Sequence, residues 1–414
     1  MTGIIRIDSY FDGTTHHRDG PYEITIDAGR VAAVQSCGGK PDPSSGSDRG
    51  RFAGCNRAAF AMPGLVEGHA HLFLNGDDLD PASRAEFLKA PLEAKMSAAR
   101  RNLRQSMERG VTLIRDAGDK FGVNHALRAE AVSSPTPLPE IRSAGLGIRR
   151  PGRYGAFMAY EAKDDAEIEA VVKRIASEGA DDLKIILTGI IDFVSGQVQG
   201  DPQFDLPALS LIVAAARQRG LKTFAHCSGR AGLEVAVAAG VDSIEHGFFM
   251  TREVLQRMAD LGTAWVPTFS PVHFQWRQPR ISGWDQATVS KLRSILDEHL
   301  AQVALADELG VNLVAGSDAG SHGVSHGSGL IDELLFLLDA GVSTASVLQS
   351  ATSRPRRCWG TSEAMLRPGA AADMLLLNGS PFQDAAHLRD VVAVFKDGVP
   401  VVGTLSHDQA SPHG

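Results

Sequence analysis

The spacing of apolar positions divides the chain into three regions. From Gly3, the stretches GIIRIDSYFDG and YEITIDAGRVAAVQS alternate apolar and polar residues between Gly and Asp turns, the period-two pattern of short antiparallel strands. GGKPDPSSGSDRG follows, rich in Gly, Ser and Pro, and predicts a surface loop because strand-like sequence resumes at once. Near the other end, GAAADMLLLNG and VVAVFKDGVPVVG again read as short strands that can complete the first sheet. Between these ends, β-rich runs alternate with helical stretches such as LSLIVAAARQRG and HLAQVALADELG, and repeated βα units predict a parallel sheet. Eight runs qualify as its strands: AMPGLVEGH, VTLIRDAG, LPEIRSAG, DDLKIILTG, LKTFAHC, VDSIEHG, AWVPTF and VNLVAGSDAG.

Eight units match a (β/α)8 TIM barrel in number. An open doubly wound sheet is the alternative, but it calls for G-x-G-x-x-G after an early strand, and none stands there. The expectation is an α/β protein with a barrel over 59–365 and a small β-sandwich domain built from 1–58 and 366–414. The length of 414 residues suits one large domain with a smaller companion. With 43% hydrophobic and 22% charged residues, disorder is excluded as the main state. A net charge of -8 argues against a nucleic-acid groove, which leaves a small-molecule substrate. Cys37, Cys55, Cys227 and Cys358 lack close C-x-x-C spacing, and no targeting or membrane-spanning stretch is visible. A cytoplasmic homo-oligomer with reduced thiols, engaging neither nucleic acid nor membrane, is expected.

Candidate chemistry begins at EGHAHLFLNG, where His69 and His71 flank one alanine directly after an apolar run. In a strand, residues i and i+2 face the same way, so both imidazoles face one point, as a metal requires. Two polar residues closing a strand would give the same spelling. The other strands extend the pattern: the fourth carries Lys184, the fifth ends in His226, the sixth in His246 and the eighth in Asp318. Barrel enzymes place their catalytic groups at those strand ends. Imidazole nitrogens and a carboxylate oxygen without thiolate are the donors of a zinc-type catalytic site. Lys184 stands apart, because a buried ammonium needs an answering charge; an ion pair with Asp182 is the structural explanation.

The pieces PGLVEGHAH, LKIILTG, FAHC, DSIEHG and AGSDAG, with the terminal RPGAAADMLLL and VVAVFKDG, resemble the amidohydrolase superfamily over nearly the whole chain. The resemblance is to its imidazolonepropionase-like and prolidase-like members, in which DSIEHG is followed by a Pro-Thr pair, here Pro267 and Thr268. It implies two divalent ions, zinc first, with manganese, iron or cobalt as alternatives. His69, His71 and Asp318 would hold one, His226 and His246 the other, and a carboxylated Lys184 would bridge them. The deaminase branch commonly has a glutamate after the fifth-strand histidine, whereas this chain continues HCSGRAG.

Two adjacent cations lower the pKa of a bridging water, so the expected nucleophile is a metal-bridging hydroxide. Asp318 is the expected catalytic acid/base, carrying the proton to a leaving nitrogen. The reaction expected is cleavage of an amide C–N bond in a dipeptide, N-acyl amino acid or cyclic amide. Ester, lactone, carbamate or phosphotriester hydrolysis is the alternative, and a metal-dependent lyase or isomerase ranks lower. Substrate contacts are expected from the loops. In LGIRRPGRYGAFMAY these are Arg150, Arg153 and Tyr154, with Arg149 beside them; Arg230 follows the fifth strand, since arginines can fork a carboxylate. His273, with Phe274 and Trp276, and His322, with His326, complete the candidates, while His16 and His17 read as surface residues.

Overall fold

The computed structural model describes residues 3–37, 57–361 and 364–403; the loop expected at 38–50 and Cys55 lie outside the described residues. The alternating amino-terminal stretches form β1 (Gly3–Phe11), β2 (His16–His17), β3 (Tyr22–Asp27) and β4 (Arg30–Ser36), and β5 (Arg57–Pro63) joins them. The run AMPGLVEGH is therefore two strands, because the chain turns from β5 into β6 (Leu65–Ala70) at Gly64. A Cβ there would lie 2.3 Å from the Thr112 hydroxyl, so only glycine permits this close passage.

The βα region continues with β7 (Val111–Asp116), β8 (Glu140–Ser143), β9 (Gly147–Arg149), β10 (Ala159–Glu161) and β11 (Asp182–Ile186). A hairpin of β12 (Ile191–Asp192) and β13 (Gln197–Val198) follows, then β14 (Lys222–Cys227), β15 (Ser243–His246), β16 (Ala264–Val266) and β17 (Asn312–Leu313). Outside the hairpin every pairing here is parallel, in the orders β6-β7-β8 and β10-β9-β11-β14-β15-β16-β17. The stretch after the third predicted strand is not wholly loop: β9 and β10 are strands of three residues, too short for a period to show. Backbone bonds also link the two sheets. Asp181 N donates to Ser143 O (2.8 Å), while Gly68 N donates to Ala315 O (2.9 Å) and Asp318 N to His69 O (2.8 Å).

Helices connect these strands: α1 (Pro81–Phe87), α2 (Leu92–Glu108), α3 (Val123–Ser133), α4 (Asp165–Ser177), α5 (Leu206–Arg217), α6 (Arg230–Ala239) and α7 (Arg252–Leu261). Between β16 and β17 lie α8 (Ser270–Arg277), α9 (Pro279–Ser282) and α10 (Gln286–Leu309), and α11 (Ser328–Asp339) comes after. In α5 the buried Leu209, Ile212, Val213 and Ala216 recur at the spacing of one helix face. Asp205 starts that helix by accepting from Ala208 N at 3.0 Å. No helix among the described residues is long and apolar enough to cross a membrane.

Finally β18 (Met374–Leu377), β19 (Val391–Lys396) and β20 (Val399–Val402) return to the first strands, giving the order β20-β19-β18-β5-β1-β3-β4 with β2 on β1. Hydrogen bonding runs through all of them, so they form one eight-stranded sheet. Period-two burial divides its faces. Met374 and Leu376 pack with Ile5, Ile24 and Phe395, whereas Leu375 and Leu377 join the core of the βα region. His16 and His17 are half-buried, not surface residues: His16 stacks on Phe382 at 3.8 Å and His17 on Tyr10 at 4.3 Å.

Candidate metal centre

The parallel strands deliver six polar side chains to one place. His69 lies near the end of β6, Lys184 within β11, His226 near the end of β14, His246 at the end of β15, and His71 and Asp318 just beyond β6 and β17. Ligating atoms of His69, His71 and Asp318 lie within 4.8 Å of one another. Asp318 Oδ1 is 3.7 Å from His69 Nε2 and 3.5 Å from His71 Nε2. The His246 ring centre is 4.5 Å from that of His226 and 5.1 Å from that of His69.

Neighbours fix which ring nitrogen faces the centre. His69 Nδ1 bonds Glu245 Oε2 at 2.6 Å, His71 Nδ1 the Gly118 carbonyl at 3.3 Å, and His246 Nδ1 the Thr268 hydroxyl at 2.8 Å. Each then turns Nε2 inward, the arrangement in which an outer partner orients a metal-ligating imidazole. Burial, reinforced by the Lys184 cation, holds His71 and His226 each down to about 3. All are neutral at ordinary pH, as ligation requires. The donor set thus fits divalent ions.

Glu245 has a second task. Its Oε1 accepts from Arg115 (2.8 Å) and from the Ser243 hydroxyl (2.6 Å), while Arg115 also donates to Gly68 O at 2.8 Å. The Arg115 guanidinium lies 4.4 Å from the Phe224 ring centre and 4.9 Å from that of Trp359. The buried space between the strands is therefore a closed charge network. Three non-glycine residues at the site take left-handed backbone, His246 (φ 67), Thr268 (φ 49) and Asp318 (φ 56). Each costs about 1–3 kcal/mol. Hydrogen bonds hold them: Thr268 to His246, Asp318 N to His69 O, and Ser321 Oγ to Asp318 Oδ2 at 2.9 Å.

Lys184 is buried, and its Nζ lies 3.2 Å from His69 Nε2. Burial pushes its pKa down to about 8. The expected ion pair with Asp182 does not form, because Asp182 pairs with Arg142 at 2.7 Å. Burial pushes Asp318 up to about 6, against the opposing Lys184 charge and the Ser321 hydrogen bond.

A cavity of about 310 Å³ opens over these residues, walled mainly by apolar side chains. Of the expected substrate contacts, Tyr154 and His322 line it. The other four do not. Arg230 is exposed and pairs with Glu234 one helical turn away; Arg153 donates to Asp201 O; Arg150 donates to Gln203 O and Ala162 O and covers the Phe204 ring. His273 packs against Phe336 and Trp276. Arg149, likewise, is paired with Glu161. His322 and His326 bond the carbonyls of Leu79 and Leu74, tying the loop after β17 to the loop after β6.

Sequence reasoning missed Arg84. It lines the cavity, and three carbonyls hold its guanidinium: Asn75 O (2.5 Å), Asp78 O (3.3 Å) and Gly320 O (2.8 Å). Among the described residues no acid forms an ion pair with it. The only signal was a lone cation in the segment following H-x-H. Glu245, inside the quoted DSIEHG, was also left without a role.

The sequence pattern of the amidohydrolase family matches residues 60–403. Ochratoxinase of Aspergillus niger is 25% identical over 395 residues, which cover 86% of this chain and 79% of the relative. Imidazolonepropionase of Saccharopolyspora erythraea is 24% identical over 402 residues, covering 92% and 93%. A Xaa-Pro dipeptidase solved with methionine in its active site superposes with a TM-score of 0.80 at 25% identity, over 97% of this chain and 100% of that one.

Proposed function

This chain belongs to the amidohydrolase family, and on that premise we propose that it is a metal-dependent hydrolase cleaving an amide C–N bond in a small molecule that carries a carboxylate. The observation that supports this most is the convergence of four neutral histidines, three of them anchored from outside, with Asp318 and a buried lysine that forms no ion pair among the described residues, at the ends of parallel strands. The backbone bonds across both sheet seams support reading the central region as a closed (β/α)8 barrel, with the terminal sheet as a companion domain.

In this reading His69, His71 and Asp318 would hold one divalent ion, zinc by donor type, and His226 and His246 a second, with a carboxylated Lys184 completing the donor set. When bound, such ions supply activation of water and polarisation of the carbonyl under attack. The environment of Lys184 supports the carbamate: an amine in an apolar strand, lowered by burial to about 8, on which Glu245 and Asp318 act but with which no acid forms an ion pair among the described residues. Asp318, oriented by Ser321, accepts a proton from the attacking water and delivers it to the leaving nitrogen, which departs poorly as an anion. Tyr154 lies with its ring 5.2 Å from that of His226, and burial raises its pKa, so it serves as a hydrogen-bond donor to substrate. Arg84, satisfied only by carbonyls, receives the substrate carboxylate.

The test is release of amine from N-acyl amino acids and dipeptides by protein purified with zinc or manganese, before and after chelation. Turnover that chelation abolishes and metal restores is expected. A metal-loaded protein that cleaves no amide, or one indifferent to chelation, would refute the proposal.

A further inference from the structure

We propose that the β12–β13 hairpin is the acyl-selecting wall of the cavity and that the natural substrate carries a large apolar acyl group opposite its carboxylate; this rests on the amide-hydrolase reading and narrows it. The cavity has two unlike sides. Arg84 stands on the side of β6 and the chain after β17, anchored to Asn75, Asp78 and Gly320. Ile190, Ile191 and Phe193 line another side, together with Phe248 and Val272.

The hairpin reaches that position because both its ends are fixed. It leaves the end of β11, where Gln199 N donates to Ile190 O at 2.9 Å. Its turn closes through Gly196 N to Asp192 O (2.7 Å) and Val194 N to Asp192 Oδ1 (2.9 Å). The tip then docks on the segment after β16. Lys291 Nζ donates to Val194 O at 2.5 Å, and the Phe193 ring meets Trp284 edge-on at 5.9 Å. Gly196 has φ +74, a left-handed backbone that favours glycine, and a Cβ there would crowd Lys291 Cδ at 2.7 Å. In sheet order β14 and β15 lie between β11 and β16. The hairpin thus passes the strands that carry His226 and His246, and its apolar residues face the reacting centre from the side away from Arg84.

Isolated exposed apolar residues are ordinary. Here Ile190 is 44% exposed while lining the cavity beside Ile191 and Phe193, Val194 is 62% exposed at the tip, and a tether holds the element in place. A substrate fitting both sides has a carboxylate at one end and an apolar acyl chain or ring at the other, with the scissile amide between them.

The experiment compares N-acetyl, N-butanoyl, N-octanoyl and N-benzoyl amino acids on zinc-loaded wild type, Phe193→Ala and Lys291→Met, reading kcat/KM and the ligand-induced rise in unfolding temperature. For wild type, kcat/KM should rise about fourfold for each methylene buried, until the cavity is filled. Phe193→Ala should lose about 10- to 100-fold on the octanoyl and benzoyl compounds and less than about threefold on the acetyl one. Lys291→Met, which unties the wall without removing it, should lose less, in the same order. Equal losses across the series, or a wild type indifferent to the acyl group, overturn the proposal. A wild type that cleaves none of the compounds, yet is stabilised by the octanoyl one more than the acetyl one in a Phe193-dependent way, rejects the hydrolase reading and keeps the hairpin assignment. Neither cleavage nor chain-length-dependent stabilisation rejects the hairpin assignment as well.

Discussion

Glu245→Gln separates the two tasks of one buried carboxylate. Glu245 has no exposed surface; one oxygen holds His69 Nδ1 at 2.6 Å and the other receives Arg115 and Ser243. A glutamine can place only one oxygen. If that oxygen faces Arg115, its amide N–H points at His69 Nδ1 and forces the proton onto Nε2, the nitrogen that should ligate. If it faces His69, an N–H donor meets a guanidinium. The Arg115 charge draws the oxygen and favours the first case, in which metal affinity should fall about 10- to 100-fold, the usual effect of losing such an outer partner. Stability should fall as well, because Arg115 keeps its charge without a countercharge, which costs about 3–5 kcal/mol. Chelator competition gives the first quantity and thermal unfolding of the metal-free protein the second. The double variant Arg115→Met with Glu245→Gln divides them: it should recover most of the stability, and with no guanidinium to draw the oxygen the amide can turn it to His69, so part of the metal affinity should return as well. Unchanged metal affinity in the single variant would refute the assignment of Glu245 as the residue that orients His69.

Lys184→Ala should abolish hydrolysis, and millimolar short carboxylates should restore part of it by occupying the place of the carbamate; a fully active variant would make the lysine merely structural. Arg84→Met should raise KM for carboxylate-bearing substrates by about 30- to 150-fold, the loss of a charged hydrogen bond of roughly 2–3 kcal/mol, and leave the corresponding C-terminal amides little changed; equal effects on both would remove Arg84 from carboxylate recognition. Burial raises Glu333 to about 8, although it accepts bonds from Phe269 N, Ser270 N and Ser270 Oγ. Between the ordinary value of 4.5 and about 8 the folded chain keeps a proton that the unfolded chain has released. Stability should therefore decline as pH rises through that window, and in denaturant titrations from pH 5 to 9 Glu333→Gln should show a shallower decline than wild type. Parallel profiles would mean that the carboxyl is ionised throughout.

The candidate metal centre was legible in the sequence because strand geometry has a short memory. An H-x-H spelling, a lysine inside an apolar run, and histidines closing two later runs place side chains by the two-residue period alone, and parallel pairing then sets Lys184 beside Phe224 and Cys227 beside His246. The strand count was recoverable on the same basis. What periodicity could not show was β9 and β10, three residues each, and the continuity of the terminal sheet, which depends on β1 pairing with β5 and β5 with β18 across long separations.

The loop cations illustrate a different limit. Arg84, Arg149, Arg150, Arg153 and Arg230 are equivalent as letters after strands, and what distinguishes them is where each positive charge is answered. Glu234 answers Arg230 at i+4 on the opening turn of α6, a pairing that helix spacing alone makes readable. Glu161 answers Arg149 only because β10 brings it alongside β9, and no local pattern foretells that. Arg84 is held by carbonyls from two separate loops and, although Asp78 acts on its charge, forms no ion pair among the described residues where it meets the cavity. An arginine becomes a substrate contact when the fold satisfies its hydrogen bonds without cancelling its charge, and that condition is set by tertiary packing.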